Sequence, residues 1–141
     1  ATSDIDMADR YWGARARYGY AWRTMWDSGA LVVFGSDAPV ERIDPLPGIH
    51  AAITRQRANG YPDMEGWYPQ ERLEMEEALY AFTRAAAITS GQKKTQGSIS
   101  PGSLADLTIF DQDLFEVQPD ELLEVGIAGT IVGGEFRHRT W

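Results

Sequence analysis

The 141 residues carry 13 Lys and Arg against 21 Asp and Glu, a formal charge of −8, which disfavours attraction to phosphate backbones and leaves nucleic acid outside the expected partners. Hydrophobic residues make up 43% of the chain, enough for one buried core and too many for a disordered polymer, and the lack of cysteine excludes disulfide scaffolds, thiolate metal sites and cysteine nucleophiles. No apolar run reaches roughly 18 residues and Ala1-Thr2-Ser3-Asp4 has neither a basic nor a hydrophobic leader region, so the expectation is a cytoplasmic protein with no membrane partner.

Tyr18, Trp22, Met25 and Trp26 fall on one face of a helix over 18–28, and Gly29 stands where a left-handed cap would close it. Leu31-Val32-Val33-Phe34 is a short continuous apolar run rich in β-branched residues, which predicts a strand near 31–35 buried on both faces, as in a parallel sheet or barrel. Gly35-Ser36-Asp37-Ala38-Pro39 ends it, placing Asp37 just beyond its carboxyl end. Asp44 followed by Pro45 reads as an N-cap and first helical residue, opening a helix over 46–57 with Leu46, Ile49, His50 and Ile53 on one face.

Residues 58–70 hold two Gly, two Pro, Trp67 and Tyr68 and read as a long excursion over a pocket or interface. Met75, Ala78, Leu79, Phe82 and Ala86 restore the helical period over 75–88, with a break expected near Thr83, and Glu71, Glu74, Glu76 and Glu77 lie near the positive end of its dipole. After Gly97 the pattern turns to strands: Leu107-Thr108-Ile109-Phe110, a helical turn beyond Pro119, and a hairpin joining Thr130-Ile131-Val132 to Glu135-Phe136-Arg137 through Gly133-Gly134. This places an α/β region at 1–91 and a mostly β region at 97–141.

Asp37 carries the most chemical content, because α/β sheets place ligands and catalytic groups at the carboxyl ends of their strands. The competing reading is a carboxylate that only caps its own turn. His50 shares its face with apolar residues, which favours a core histidine over a ligand, and His138, between Arg137 and Arg139, reads as exposed. Two histidines and no cysteine cannot assemble a zinc site of three protein ligands, and no EF-hand, P-loop, G-x-S-x-G or G-x-G-x-x-G motif occurs. Trp12, Tyr18, Tyr20, Trp22 and Trp26 could form a stacking platform, but their spacing favours core packing.

The stretch from Phe34 to Val40, with Asp44-Pro45-Leu46 and Ile49-His50-Ala51-Ala52-Ile53-Thr54-Arg55, resembles the end of the barrel in amidohydrolase family 3. Glu77-Ala78-Leu79, Phe82-Thr83 and Ala85-Ala86 resemble its post-barrel helix; Gly97-Ser98-Ile99 and the run from Pro101 to Leu107 resemble its return to a small β domain; and Thr130 to Glu135 resembles its final hairpin.

The resemblance implies an α/β fold, the C-terminal piece of a (β/α)8 metallo-hydrolase barrel over 1–91 plus strands of a small composite β domain over 97–141. It implies a hydrolase of C–N bonds other than peptide bonds, with Asp37 as metal ligand and general base, a divalent metal with zinc the expected one, and a small amide-like substrate. Arg55, Trp67 and His50 are the substrate-contact candidates. The family's His-x-His, its Lys or Glu, and its two single histidines from earlier barrel strands have no counterpart here, and a whole barrel needs about 250 residues. The expectation is therefore a C-terminal fragment that alone binds no metal, turns over no substrate and self-associates. The alternative is a noncatalytic regulatory or binding protein that keeps the fold.

Overall fold

The computed structural model describes residues 1–141. Five helices occupy the first two thirds of the chain: α1 (Ile5–Trp12), α2 (Trp22–Asp27), α3 (Leu46–Thr54), α4 (Met75–Phe82) and α5 (Arg84–Thr89). A three-stranded antiparallel sheet follows, β1 (Leu107–Phe110), β2 (Ile127–Val132) and β3 (Glu135–Arg139), in the order β1-β2-β3. No helix is long and apolar enough to cross a membrane.

Helix α1 was not anticipated, and α2 is shorter than the spacing of its aromatics suggests. Residues Gly13–Tyr18 form a 3-10 turn and Tyr20 sits at a φ of 53°, which interrupts the period before Trp22. The left-handed backbone at Tyr20 is held by its hydroxyl, which donates to Asp4 Oδ2 at 2.5 Å. Tyr18 is consequently exposed, whereas Trp22 packs edge-on against Phe34 at 5.0 Å and Trp26 against Tyr80 at 5.8 Å. Gly29 closes α2 at a φ of 81°, as the sequence indicates.

Residues 31–34 do not form the expected strand. A strand of a parallel sheet takes its hydrogen bonds from strands distant in sequence, and none lies beside this one; its Phe34 amide instead donates to the Ala81 carbonyl at 3.1 Å. Nor is the run buried on both faces: Val32 is 7% exposed while Leu31 and Val33 are 44% and 41% exposed. Val32 and Phe34 meet the helices, and the alternate residues Leu31 and Val33 are left more exposed.

Asp44 does start α3, its Oδ1 accepting the Leu46 amide at 3.0 Å. The helix ends at Thr54 rather than near 57, because Arg55 takes a left-handed conformation at a φ of 63° and donates its amide back to Ala51. Helix α4 opens with a capping box between Glu74 and Glu77, and Thr83 separates it from α5 as expected. The principal core joins Leu46, Ile49 and Ala52 of α3 and Ala78 of α4 to Leu114, Leu122 and Val125 from the connection between β1 and β2. A smaller cluster unites Ile5, Ala8, Ala16 and Trp67.

In the sheet, Leu107 pairs with Ile131 and Val132 with Glu135. Gly133 and Gly134 turn the hairpin at φ values of 60° and 82°, a conformation that L side chains resist and that suits the twist of two antiparallel strands. The turn is tied back to the chain by the Gly133 amide on Asp106 Oδ1 at 2.7 Å.

Candidate active site

Asp37 lies in the turn after residues 31–34, at a φ of 50°, a region that Asp tolerates better than most residues. Its own carbonyl accepts the Val40 amide at 2.9 Å, and the Ser36 carbonyl accepts the Glu41 amide at 3.3 Å. The turn is thus closed by backbone bonds, and the Asp37 carboxylate is neither hydrogen-bonded nor paired with a cation but stands exposed. That weakens the capping alternative, in which the side chain itself would hold the turn.

A cavity of about 170 Å³ lies beside this turn, walled by Trp22, Phe34 and Phe82 and rimmed by Ser36, Glu41 and Asp44. Glu41 receives the Ser3 hydroxyl there. None of Asp37, His50, Arg55 and Trp67 lines this cavity, so the structure does not gather the four candidates around one space.

His50 is 5% exposed on α3, with Nδ1 3.5 Å from Thr54 Oγ1. Burial holds its imidazole below the ordinary value, against an opposing backbone hydrogen bond at Gln56. It is a neutral histidine inside the fold, one position along the helix from Ala51, which does line the cavity.

Arg55 is 1% exposed. Its Nε donates to the Trp67 carbonyl at 2.9 Å and its Nη1 to the Tyr20 carbonyl at 3.0 Å, while the guanidinium lies 4.5 Å from the Trp22 ring and 5.1 Å from the Trp67 ring. Nη2 is buried without a partner. Desolvation pushes the group down to about 10, with only the nearby charge of Glu71 working the other way.

Trp67 is 6% exposed and anchors the excursion of residues 58–70 against α1. Its Nε1 donates to Asp9 Oδ1 at 3.0 Å, and its amide donates to the Arg55 carbonyl at 3.0 Å. Gly66 permits this approach: at a φ of 78°, a Cβ there would stand 2.2 Å from the Thr54 carbonyl oxygen. Tyr61 continues the attachment, its hydroxyl donating to Asp6 Oδ1 at 2.6 Å.

Three polar residues shape this region in ways the sequence does not indicate: its spacing reads Glu71 as a helix-dipole carboxylate and Tyr20 as a packed aromatic, and does not single out Arg23. Glu71 is buried outside α4 and accepts the Thr24 amide at 2.9 Å and its hydroxyl at 2.7 Å. Arg23 grips Glu77 with both terminal nitrogens, joining α2 to α4 and holding the Glu77 carboxyl below its usual range. Tyr20 gives its proton to Asp4, which pushes its hydroxyl up to about 12. All three depend on partners 16 to 54 residues away, a separation at which spacing carries no signal. His138 is exposed, as expected, with Nε2 3.2 Å from the Ile127 carbonyl oxygen.

No three His, Cys, Asp or Glu side chains converge as a metal site would require. Asp37 is a lone carboxylate, so the residues present do not by themselves fit a metal ion.

Residues 2–138 match the amidohydrolase family. The chain belongs to that family. It is 32% identical over 130 residues to YtcJ of Bacillus subtilis, a protein named as an amidohydrolase, covering 92% of this chain and 24% of that protein. It is 33% identical over 116 residues to an N-substituted formamide deformylase of Arthrobacter pascens, covering 82% and 21%. Protein LONG AFTER FAR-RED 3 of Arabidopsis thaliana is 32% identical over 117 residues, covering 82% and 19%. Among solved structures, an amidohydrolase of Thermotoga maritima superposes with a TM-score of 0.62 at 18% identity, covering 86% of this chain and 26% of the other. The fold is therefore shared with an amidohydrolase, and this chain spans 19 to 24% of the length of those three curated relatives.

Proposed function

We propose that this chain works within a longer amidohydrolase that hydrolyses C–N bonds other than peptide bonds, and that Asp37 is its general base. The observation that carries the reading is the position of Asp37: an exposed carboxylate, free of capping duty, at the end of a segment whose Leu31 and Val33 are exposed. Leu31, Val33, Gly35 and Asp37 are each more exposed than the intervening Val32, Phe34 and Ser36, so the carboxylate belongs to the more exposed side. In this reading residues 31–35 are the last strand of a (β/α)8 barrel, residues 97–141 part of a second, smaller β domain, and the other strands stand against that side. The deformylase among the relatives supports an amide-type substrate.

The proposed chemistry balances simply. Asp37 accepts a proton from a water molecule as the water oxygen bonds to the amide carbon; the C–N bond then breaks as the nitrogen gains a proton, giving a carboxylate and an amine. A divalent metal, zinc first among the candidates, would lower the pKa of such a water. Since the chain offers one carboxylate, the remaining ligands would come from other segments of the protein. His50, Arg55 and Trp67, 5%, 1% and 6% exposed, would act behind the substrate surface rather than on it.

The Arabidopsis relative, whose name states no enzymatic activity, favours a second reading as a noncatalytic regulatory protein. One experiment separates the two. Asp37→Asn in the full-length protein, assayed on an N-alkyl formamide, should lower kcat by about 10²- to 10⁴-fold. A wild-type protein without activity on formamides and other amides, and without a His-x-His in the sequence preceding this chain, would support the regulatory reading.

A further inference from the structure

We propose that the cavity beside the Asp37 turn is a binding site for a small aromatic amine, separate from the side of the segment that carries the Asp37 carboxylate. An amine is also what the proposed hydrolysis releases, so its meaning as a product site rests on that reading; the binding itself does not.

The cavity belongs to the packed side of residues 31–37. Phe34 and Ser36, less exposed than their neighbours, line it, and Asp37 does not. Trp22 of α2, Ala51 of α3 and Phe82 of α4 complete its walls. All of these come from this chain, on the side away from the one against which the other strands of the proposed barrel would stand. The walls are therefore present in the longer protein as they are here.

Size and lining select a ligand of one ring. A dry apolar cavity of about 150 Å³ takes up benzene, and this one has about 170 Å³. Trp22 and Phe34 meet edge-on with centroids 5.0 Å apart and Phe34 and Phe82 stand 5.5 Å apart, so a further ring meets aromatic surface on more than one side.

The rim selects the charge. Its ionisable side chains are Glu41, Arg42 and Asp44. Arg42 is 81% exposed and leans on Asp44 Oδ2 at 3.9 Å, while Asp44 Oδ1 is occupied by the Leu46 amide at 3.0 Å. These two charges offset one another. Glu41 has the Ser3 hydroxyl as its partner, a neutral group that leaves the carboxylate charge uncompensated. The structure already sets an ammonium at this rim. Ala1 lines the cavity, and its amino group is pushed down by burial against the pull of Asp4 and Glu41. In the longer protein that nitrogen belongs to a peptide bond, and the charge of Glu41 is left for the ammonium of a ligand whose ring lies among Trp22, Phe34 and Phe82.

Calorimetric titration of the full-length protein with benzylamine tests this, with benzyl alcohol as the uncharged probe of the same shape. Benzylamine should bind with a Kd of about 1 mM or tighter, within reach of a ligand of its size. Benzyl alcohol should bind at least 10-fold more weakly. Ala51→Leu, which fills the cavity from α3, should abolish binding, and Glu41→Gln should weaken it at least 10-fold; Glu41 is exposed, so this variant serves if Ala51→Leu does not fold. Asp37→Asn should leave the affinity unchanged. No binding to the wild-type protein, which would mean that the chain preceding Ala1 fills the cavity, overturns the proposal. So does equal affinity for the alcohol, or an affinity that Asp37→Asn lowers and the other two variants do not. If the wild-type protein hydrolyses no amide, the reading of Asp37 as a base falls while the titration still decides what the cavity holds.

Discussion

The hairpin β2–β3 and residues 31–34 are made of similar side chains and reach opposite ends. Thr130 and Ile131 pair with β1 on one side and β3 on the other, and Val132 pairs with β3, to which β2 is joined by two glycines that set the register. Leu31, Val32, Val33 and Phe34 share a single backbone bond to another part of the chain, and Leu31 and Val33 are exposed. The difference is where the partner comes from. An antiparallel partner two residues away forms with little loss of loop entropy, whereas a parallel partner must be delivered by a crossover of a dozen residues or more. The hairpin carries its own partner within the chain, whereas residues 31–34, which lead to Asp37, have no strand partner within it.

The largest effect that would break this contrast is association. Unpaired backbone beside exposed Leu31 and Val33 invites pairing between copies, so the 141-residue chain is expected to run above its monomer mass of 15.7 kDa in light scattering at micromolar concentration. Val33→Lys should return it to that mass; a clean monomer before substitution defeats the expectation.

Next in size is the anchor. Phe34→Ala removes a ring held between two others and should cost about 2 to 4 kcal/mol in urea denaturation. Phe136→Ala, on the hairpin and 47% exposed, should cost less than about 1 kcal/mol. Equal losses would mean that the ladder contributes no more than the stacked rings.

The hairpin has its own weak point at the turn. Gly134→Val forces a β-branched side chain to a φ of 82° and should cost about 1 to 2 kcal/mol, whereas the same change in a relaxed loop would be nearly neutral.

The smallest effect is a pH dependence on the packed side of the fold. Because burial holds His50 below its ordinary value near 6.5, the unfolded chain takes up that proton first as the pH falls. Stability should be full above about pH 6.5 and decline below it toward the folded value, and His50→Gln should flatten the melting temperature across that range. A decline that persists in the variant assigns the dependence to other groups.

Local chemistry made much of this legible from the residues alone. Asp44 before Pro45, the break at Thr83, the cap at Gly29 and the Gly133-Gly134 turn are each decided by a side chain or backbone preference within a few residues, and all four stand in the structure. The motif around Asp37 likewise pointed to the amidohydrolase family. What the spacing misjudged were features set by distant partners: α2 begins four residues late because Tyr20 is drawn to Asp4, and α3 stops at Thr54 because Arg55 turns to meet Trp67 and Tyr20.

Burial of a charge is the extreme case. An arginine after an amphipathic helix normally lies in water, and only the arrival of Trp22, Trp67 and two carbonyls from separate parts of the chain makes an interior place for it. The sequence alone determined the caps, turns and helix periods, because these are settled by energies acting over one or two turns of backbone. Tertiary structure decided which side chains meet, because a hydrogen bond or stacked pair forms only when the rest of the fold has met the entropy of bringing its halves together.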